Sequence, residues 1–336
     1  MLTTISHPDE LLPAITHIPL VDPYSRQPGT PLFRSYTPNL KIYDGDATKV
    51  KANKLIQNSM ITVRDYNILR TLLGVGILSR QQIQRLFWTP GTSLSTVNRR
   101  LKLQADRGVL ISTMTYRDML SDLRLERCAL YGLGDVAREI LAARSGLQSS
   151  RTIAYNPKYY AILADNPLVR HHVMTAEIYT RLKEKSNRAG NEMVWFNEMA
   201  CIIRDGDREL VRPDAYAVIG REGDKEEAHL FIETDTRNTN WEKKVQSYEL
   251  ARSRGNWREA LGSDWFPLVL CVVPNEHAVV RVASLIKSQS VNVAYLLKAW
   301  PQFLLEDPYR GWYHAQGEAG GELVKILPDH LIQERS

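Results

Sequence analysis

The apolar positions change their spacing along the chain, and each change marks a different element. In the region 60–146 they recur at helical intervals. Ile68, Leu69, Leu72 and Leu73 form a stripe behind Thr62, which predicts a helix from 63 to about 73, ended by Gly74 and Gly76. Ser79 starts a short second helix with Ile83, Leu86 and Phe87 inward, and Pro90-Gly91 turns the chain. Thr92 or Ser93 caps a third helix to about 107, closed by Gly108. Two apolar runs, 109–111 and 128–131, then predict strands joined by a polar loop, and Asp135 is the expected cap of a helix over 136–143. Residues 147–165 have the composition of a linker. From Pro167 the order becomes helix to about 187, strands at 193–203, 210–219 and 228–234, a helix at 239–254, a continuously apolar strand at 266–273, a helix at 276–288 and a strand at 291–297. The last stretch, 301–336, predicts an irregular tail with Trp312 and Tyr313 packed back. Residues 1–58 hold seven of the sixteen prolines, which predicts an extended arm whose Leu11, Leu12 and Ile15 could dock on a partner subunit.

Helix, helix, turn, helix, hairpin is the order of a winged helix-turn-helix, placed at 60–146. On its third helix Leu94, Val97, Leu101 and Ala105 share one face, while Ser95, Thr96, Arg99 and Arg100 lie off it and Lys102 flanks it. Such a hydroxyl-bearing, basic face suits the major groove, and Arg117 and Arg124 on the strand-joining loop are candidate phosphate contacts. Over 64–144, thirteen Lys/Arg stand against seven Asp/Glu, which exceeds the whole chain's net charge of +5. Double-stranded DNA is the expected partner, and a homodimer would match paired half-sites.

Composition narrows the rest. At 336 residues and 43% apolar the chain has room for two cores. The cysteines Cys128, Cys201 and Cys271 are dispersed and odd in number, so they predict buried thiols rather than a zinc ribbon or disulfide framework. No apolar run reaches the length of a membrane span and no leader pattern is present, so a cytoplasmic protein with no membrane partner is expected. Gly132-Leu133-Gly134 lacks the context of a phosphate loop.

The candidate chemistry lies between 211 and 248. Asp214 precedes one predicted strand, Glu233 and Asp235 end the next, and Lys243, Lys244 and Tyr248 follow on a helix. Converging carboxylates at strand ends are oxygen ligands for a hard cation, and a nearby ammonium stabilises developing negative charge. Lys244 and Tyr248 are four apart and share a helix face. Glu177 and Glu198 are secondary acids. His171 and His172, adjacent on one helix, point about 100° apart and do not readily share one ion.

Pro213-Asp214 followed by Glu233-Thr234-Asp235 resembles the PD-(D/E)xK nuclease superfamily, with Asp235 where that pattern has lysine and Lys243 or Lys244 as its replacement. The resemblance implies a restriction-endonuclease-like α/β domain with a mixed sheet (166–300), which together with the winged helix-turn-helix domain read at 60–146 makes an α+β chain. It also implies Mg²⁺ or Mn²⁺ held by Asp214, Glu233 and Asp235 if the site is catalytic. Taken together, the segments RDYNILRTLLGVGILSRQQIQRLF, STVNRRLKLQADRGVL, LVRHHVMTAEIY, VRPDAYAVI and FIETDTRNTNWEKKVQSYELA resemble the replication-relaxation family of plasmids and mobile elements. That resemblance implies a DNA-binding role in replication, relaxation or transfer, with replication or relaxase proteins as further partners. An active metal-dependent endonuclease and a non-catalytic assembly or transcription-regulatory protein remain the alternatives.

Overall fold

A computed structural model describes residues 45–114, 129–145, 169–221, 227–236, 239–316 and 323–333. The chain has a mixed α+β architecture. Its first element departs from expectation: Gly45–Gln57, within the stretch expected to be extended, is helix α1. No proline falls between 39 and 89, so the backbone there is free to coil, and α1 buries Ala52 and Leu55. The rest of the proline-rich segment lies outside the described residues.

Helices α2 (Val63–Val75), α3 (Arg80–Phe87) and α4 (Leu94–Asp106) start at the expected caps. Thr62 and Ser79 form reciprocal capping boxes with Asp65 and Gln82. The strands β1 (Leu78–Ser79), β2 (Leu110–Met114) and β3 (Ala129–Leu133) make a small antiparallel sheet in the order β1-β3-β2. Residues 115–128, with Arg117, Arg124 and Cys128, lie outside the described residues, as does the linker at 147–165.

Helix α5 (Asp135–Arg144) is capped by the Gly134 backbone rather than by Asp135, which sits in the first turn as a favourable charge at the helix start. The reason is space. A Cβ on Gly134 would lie 2.2 Å from the Gly108 carbonyl oxygen. The bare glycine lets the chain run against the end of α4, where its N–H donates to Val109 O at 2.9 Å.

The second part is built on a seven-stranded mixed sheet in the order β12-β11-β10-β9-β8-β7-β4. Its strands are β4 (Glu192–Asn197), β7 (Ala215–Gly220), β8 (Glu227–Thr234), β9 (Leu268–Val273), β10 (Tyr295–Ala299), β11 (Trp312–His314) and β12 (Leu323–Val324). β4, β7 and β8 are antiparallel, β8, β9 and β10 run parallel, and β11 and β12 close the far edge antiparallel. Between β4 and β7 the predicted strands are interrupted by a separate hairpin, β5 (Ile203–Asp205) and β6 (Arg208–Val211), turned at Gly206 with φ 58°.

The tail is not irregular: α10 (Trp300–Leu305), β11, β12 and α11 (Asp329–Ile332) are ordered elements, and β11 joins the sheet. Trp312 is fully buried and donates its indole N–H to Pro308 O. Lys298 on β10 is also fully buried; its ammonium donates to the carbonyls of Asp307 and Arg310 and meets Glu306 at 2.9 Å, tying the tail to the sheet.

Alternation along the strands sorts the two faces. Ala215, Ala217, Leu230 and Ile232 pack toward α6 (Val169–Ala189), whereas Tyr216, Val218 and Phe231 pack toward α7 (Trp241–Arg254) and α9 (Glu276–Gln289). The short helix α8 (Trp257–Leu261) follows α7. The core on the α6 side is continuous with that of the first four helices: Leu69, Ile83 and Val97 belong to the same cluster as Val173, Trp195 and Ile232.

Candidate functional site

Strand β8 sends Glu233 to the α7 side, the face shared with Phe231, and there the helix supplies two partners one turn apart. Lys244 Nζ meets Glu233 Oε2 at 2.5 Å, and the Tyr248 hydroxyl donates to Glu233 Oε1 at 2.5 Å. The reading that Lys244 and Tyr248 share a face toward the carboxylates therefore matches the geometry. It also separates the two lysine candidates: Lys243 is exposed near the start of α7, where its backbone N–H donates to the Asn240 side chain.

Asp214 stands at the head of β7, where the two helical faces meet. Its Oδ2 accepts the Thr234 backbone N–H at 2.7 Å, and its Oδ1 faces His171 Nε2 at 3.4 Å. Asp235 lies just beyond β8, buried, with Oδ2 accepting the Trp241 indole N–H at 2.9 Å. Thr175 on α6 and Thr234 share a hydroxyl hydrogen bond at 3.0 Å. A shallow cleft above these groups is lined by Gly74, His171, Thr175, Asn197, Glu198 and Asp214.

The electrostatics follow from this crowding. Burial raises the Asp214 carboxyl, but His171, Lys244 and the Thr234 amide outweigh it and hold the group below the usual carboxylate range. Burial depresses His171, yet Asp214 and Glu198 together carry it up to about 9, so it is a cation at neutral pH. Its neighbour His172 is driven down to about 3 by burial and by the His171 charge. Burial pushes Glu233 up to about 7 against the pull of Lys244, while Lys244 is raised above its ordinary value by Glu233 and Asp214 in spite of burial. The centre is thus two acids interleaved with two cations.

That arrangement bears on the cation implied by the sequence. Both Glu233 oxygens already have donors, and one Asp235 oxygen is taken by Trp241. Among the described residues no three His, Cys, Asp or Glu side chains are grouped so as to hold a metal ion. As arranged, these residues do not fit the ligand set that the resemblance implies.

The secondary acids separate. Glu177 is buried between α6 and α3, where Arg85 Nη1 donates to it at 2.6 Å and Gln82 Nε2 at 3.0 Å; Arg85 also pairs with Glu184. Glu198 lines the cleft. Sequence reasoning read one of His171 and His172 as inward and hydrogen-bonded but did not identify Asp214 as the partner of His171, and it missed the part played by Trp241. The first becomes visible only when α6 is laid beside the head of β7; the second had a faint signal in an aromatic residue opening the helix after the E-x-D triplet.

On α4, Val97 and Leu101 are buried and Ser95, Thr96, Arg99 and Lys102 are exposed. Arg100 is not part of the open face. Its Nε donates to Asp65 Oδ1 at 2.9 Å, its Nη2 also reaches Asp65, and it donates to Met60 O at 3.2 Å, so it ties α4 to α2. Its position on the helix placed it off the apolar stripe, but the acidic residue of the capping box claims it.

These features define the class: a mixed α+β protein that joins a basic helical unit to a sheet carrying a buried carboxylate–lysine–tyrosine cluster. The chain belongs to the replication-relaxation family, whose model matches residues 69–263 and so spans both parts. Membership points to a role in the replication or relaxation of a plasmid or other mobile element, with DNA or replication-related partners. No curated protein and no solved structure matches the chain. No helix among the described residues is long and apolar enough to cross a membrane.

Proposed function

We propose that the chain is a double-stranded DNA-binding protein of a mobile element, in which a winged helix reads the duplex and a nuclease-like domain serves as a non-catalytic scaffold. The observation that carries this reading is α4: a helix anchored by Val97, Leu101 and the Arg100–Asp65 pair, presenting Ser95, Thr96, Arg99 and Lys102 to solvent beside a three-stranded sheet. Arg99→Ala is expected to weaken duplex binding about tenfold at moderate salt, in line with roughly 1–3 kcal/mol for a lost arginine contact to a base. Fluorescence anisotropy against salt is the measurement; unchanged affinity would remove α4 from the interface.

A second reading, a metal-dependent endonuclease, is favoured by one observation: Lys244 reaches the carboxylates from the helix after the E-x-D triplet. Against it stands the engagement of Glu233 and Asp235 by protein donors. The expected result is that calorimetric titration with Mn²⁺ gives no binding that depends on Asp214 and Glu233, and that supercoiled and linear duplexes stay intact. Cutting that disappears in Asp214→Ala would reverse the assignment.

A further inference from the structure

The DNA reading leaves α1 unused, and its composition is lopsided. Residues 45–114 carry eleven Lys/Arg against three Asp/Glu, so the rest of the chain is net acidic. One of those three acids, Asp65, is neutralised by Arg100. Helix α1 packs against α5 through Ala52 and Leu55 and leaves Lys49, Lys51 and Lys54 exposed.

The helix is tied to the end of α4. Arg100 and Arg107 both donate to Met60 O, at 3.2 and 3.1 Å, in the turn that follows α1. Lys51 Nζ lies 3.8 Å from the point where a Cβ on Gly108 would stand, at the close of α4. Lys51 therefore borders the end of the helix whose exposed face carries Arg99 and Lys102, with Lys54 exposed one turn further along α1, and the hydrogen bonds to Met60 O tie the turn after α1 to α4. Ammonium groups on a rigid helix beside a groove-reading helix are suited to phosphates, which position a protein on the duplex without reading sequence.

We propose that α1 is a second DNA-contacting element, running its lysines along the phosphate backbone next to the site engaged by α4. The proposal rests on the DNA reading above, and the test separates the two. Full-length wild type, Lys51→Ala/Lys54→Ala, Arg99→Ala and Arg281→Ala are compared by anisotropy across a salt series. Arg281, exposed on α9, controls for a general loss of positive charge. The double variant is expected to bind specific and random duplexes more weakly by a similar factor, and to lower the slope of log K against log salt by about 2, close to 0.9 per phosphate contact. Circular dichroism should be unchanged, because both side chains face solvent. A wild-type slope in the double variant, with Arg99→Ala still impaired, overturns the α1 contact alone. A fall in slope of about half that size from the single Arg281→Ala overturns it too, since the loss per charge would then be the same anywhere on the surface and reflect overall field. Absence of salt-sensitive binding by wild type overturns both readings.

Discussion

Lys244→Ala is expected to destabilise the protein by about 3 kcal/mol near pH 8 and by distinctly less near pH 6, measured by urea denaturation. Removing one partner of a buried ion pair leaves the other charge uncompensated, which typically costs about 3–5 kcal/mol. Glu233 is almost wholly buried, and among the described residues its donors are Lys244 and the Tyr248 hydroxyl. The pH dependence follows from its position. Its folded-state carboxyl already titrates near 7, above the ordinary 4.5, so its protonated form favours the folded state. That contribution is fully present below about 4.5 and is lost as pH rises through 7. Without Lys244 the carboxyl moves higher still, so the variant escapes much of its penalty in acid by taking up a proton and suffers it in full in base. Lys244→Ala/Glu233→Gln should recover most of the loss at pH 8, because the amide oxygen still accepts from Tyr248. A loss that is flat from pH 6 to 8, or under 1 kcal/mol throughout, would mean the pair is not the buried charge centre described.

Gly134→Ala is expected to cost about 3 kcal/mol or more and to lower the thermal midpoint accordingly, although it adds one methyl group. The new Cβ would meet the Gly108 carbonyl oxygen at 2.2 Å and the Gly108 carbonyl carbon at 2.9 Å, both backbone atoms with no rotamer to escape into. The contact joins the close of α4 to the start of α5, so relief would disturb the N–H donated by Gly134 to Val109 O. Gly91→Ala is the comparison. Its φ of 86° makes alanine strained, but nothing lies within 4 Å, so roughly 1 kcal/mol is expected. Equal losses at the two positions in a melting experiment would show that backbone conformation, not space, governs Gly134.

What the sequence made legible divides along the range of the interactions. Thr62, Ser79 and Ser93 act within three residues of themselves, and their helices begin where expected. Lys244 and Tyr248 share a face for a reason internal to one helix, and the alternation of β8 turns Glu233 toward them. The partners that escaped notice sit far off in the chain. His171 reaches Asp214 across forty-three residues, and Asp65 claims Arg100 across thirty-five. Helical periodicity puts Arg100 outside the apolar stripe but carries no information about an acid on another helix. The order in 301–336 escaped for a different reason: β11 is three residues long, too short for a period-two signal, and its place depends on an available sheet edge beside β10. The extended reading of 45–57 took the proline density of the preceding residues past the point where it applies.

The unbroken core between the helical unit and the sheet has a consequence for anyone who would divide this chain. Composition offers a seam near residue 150, and a fragment cut there would look like a self-contained DNA reader. Such a cut would strip Ile83 and Leu69 of the apolar neighbours they share with Val173, and would leave Glu177 without Arg85. Each piece would carry a raw oily surface and an orphaned charge. The two halves are thus better regarded as one heritable object, whose seam in sequence is not a seam in free energy, and substitutions along α3 and α6 are expected to be tolerated in pairs rather than singly.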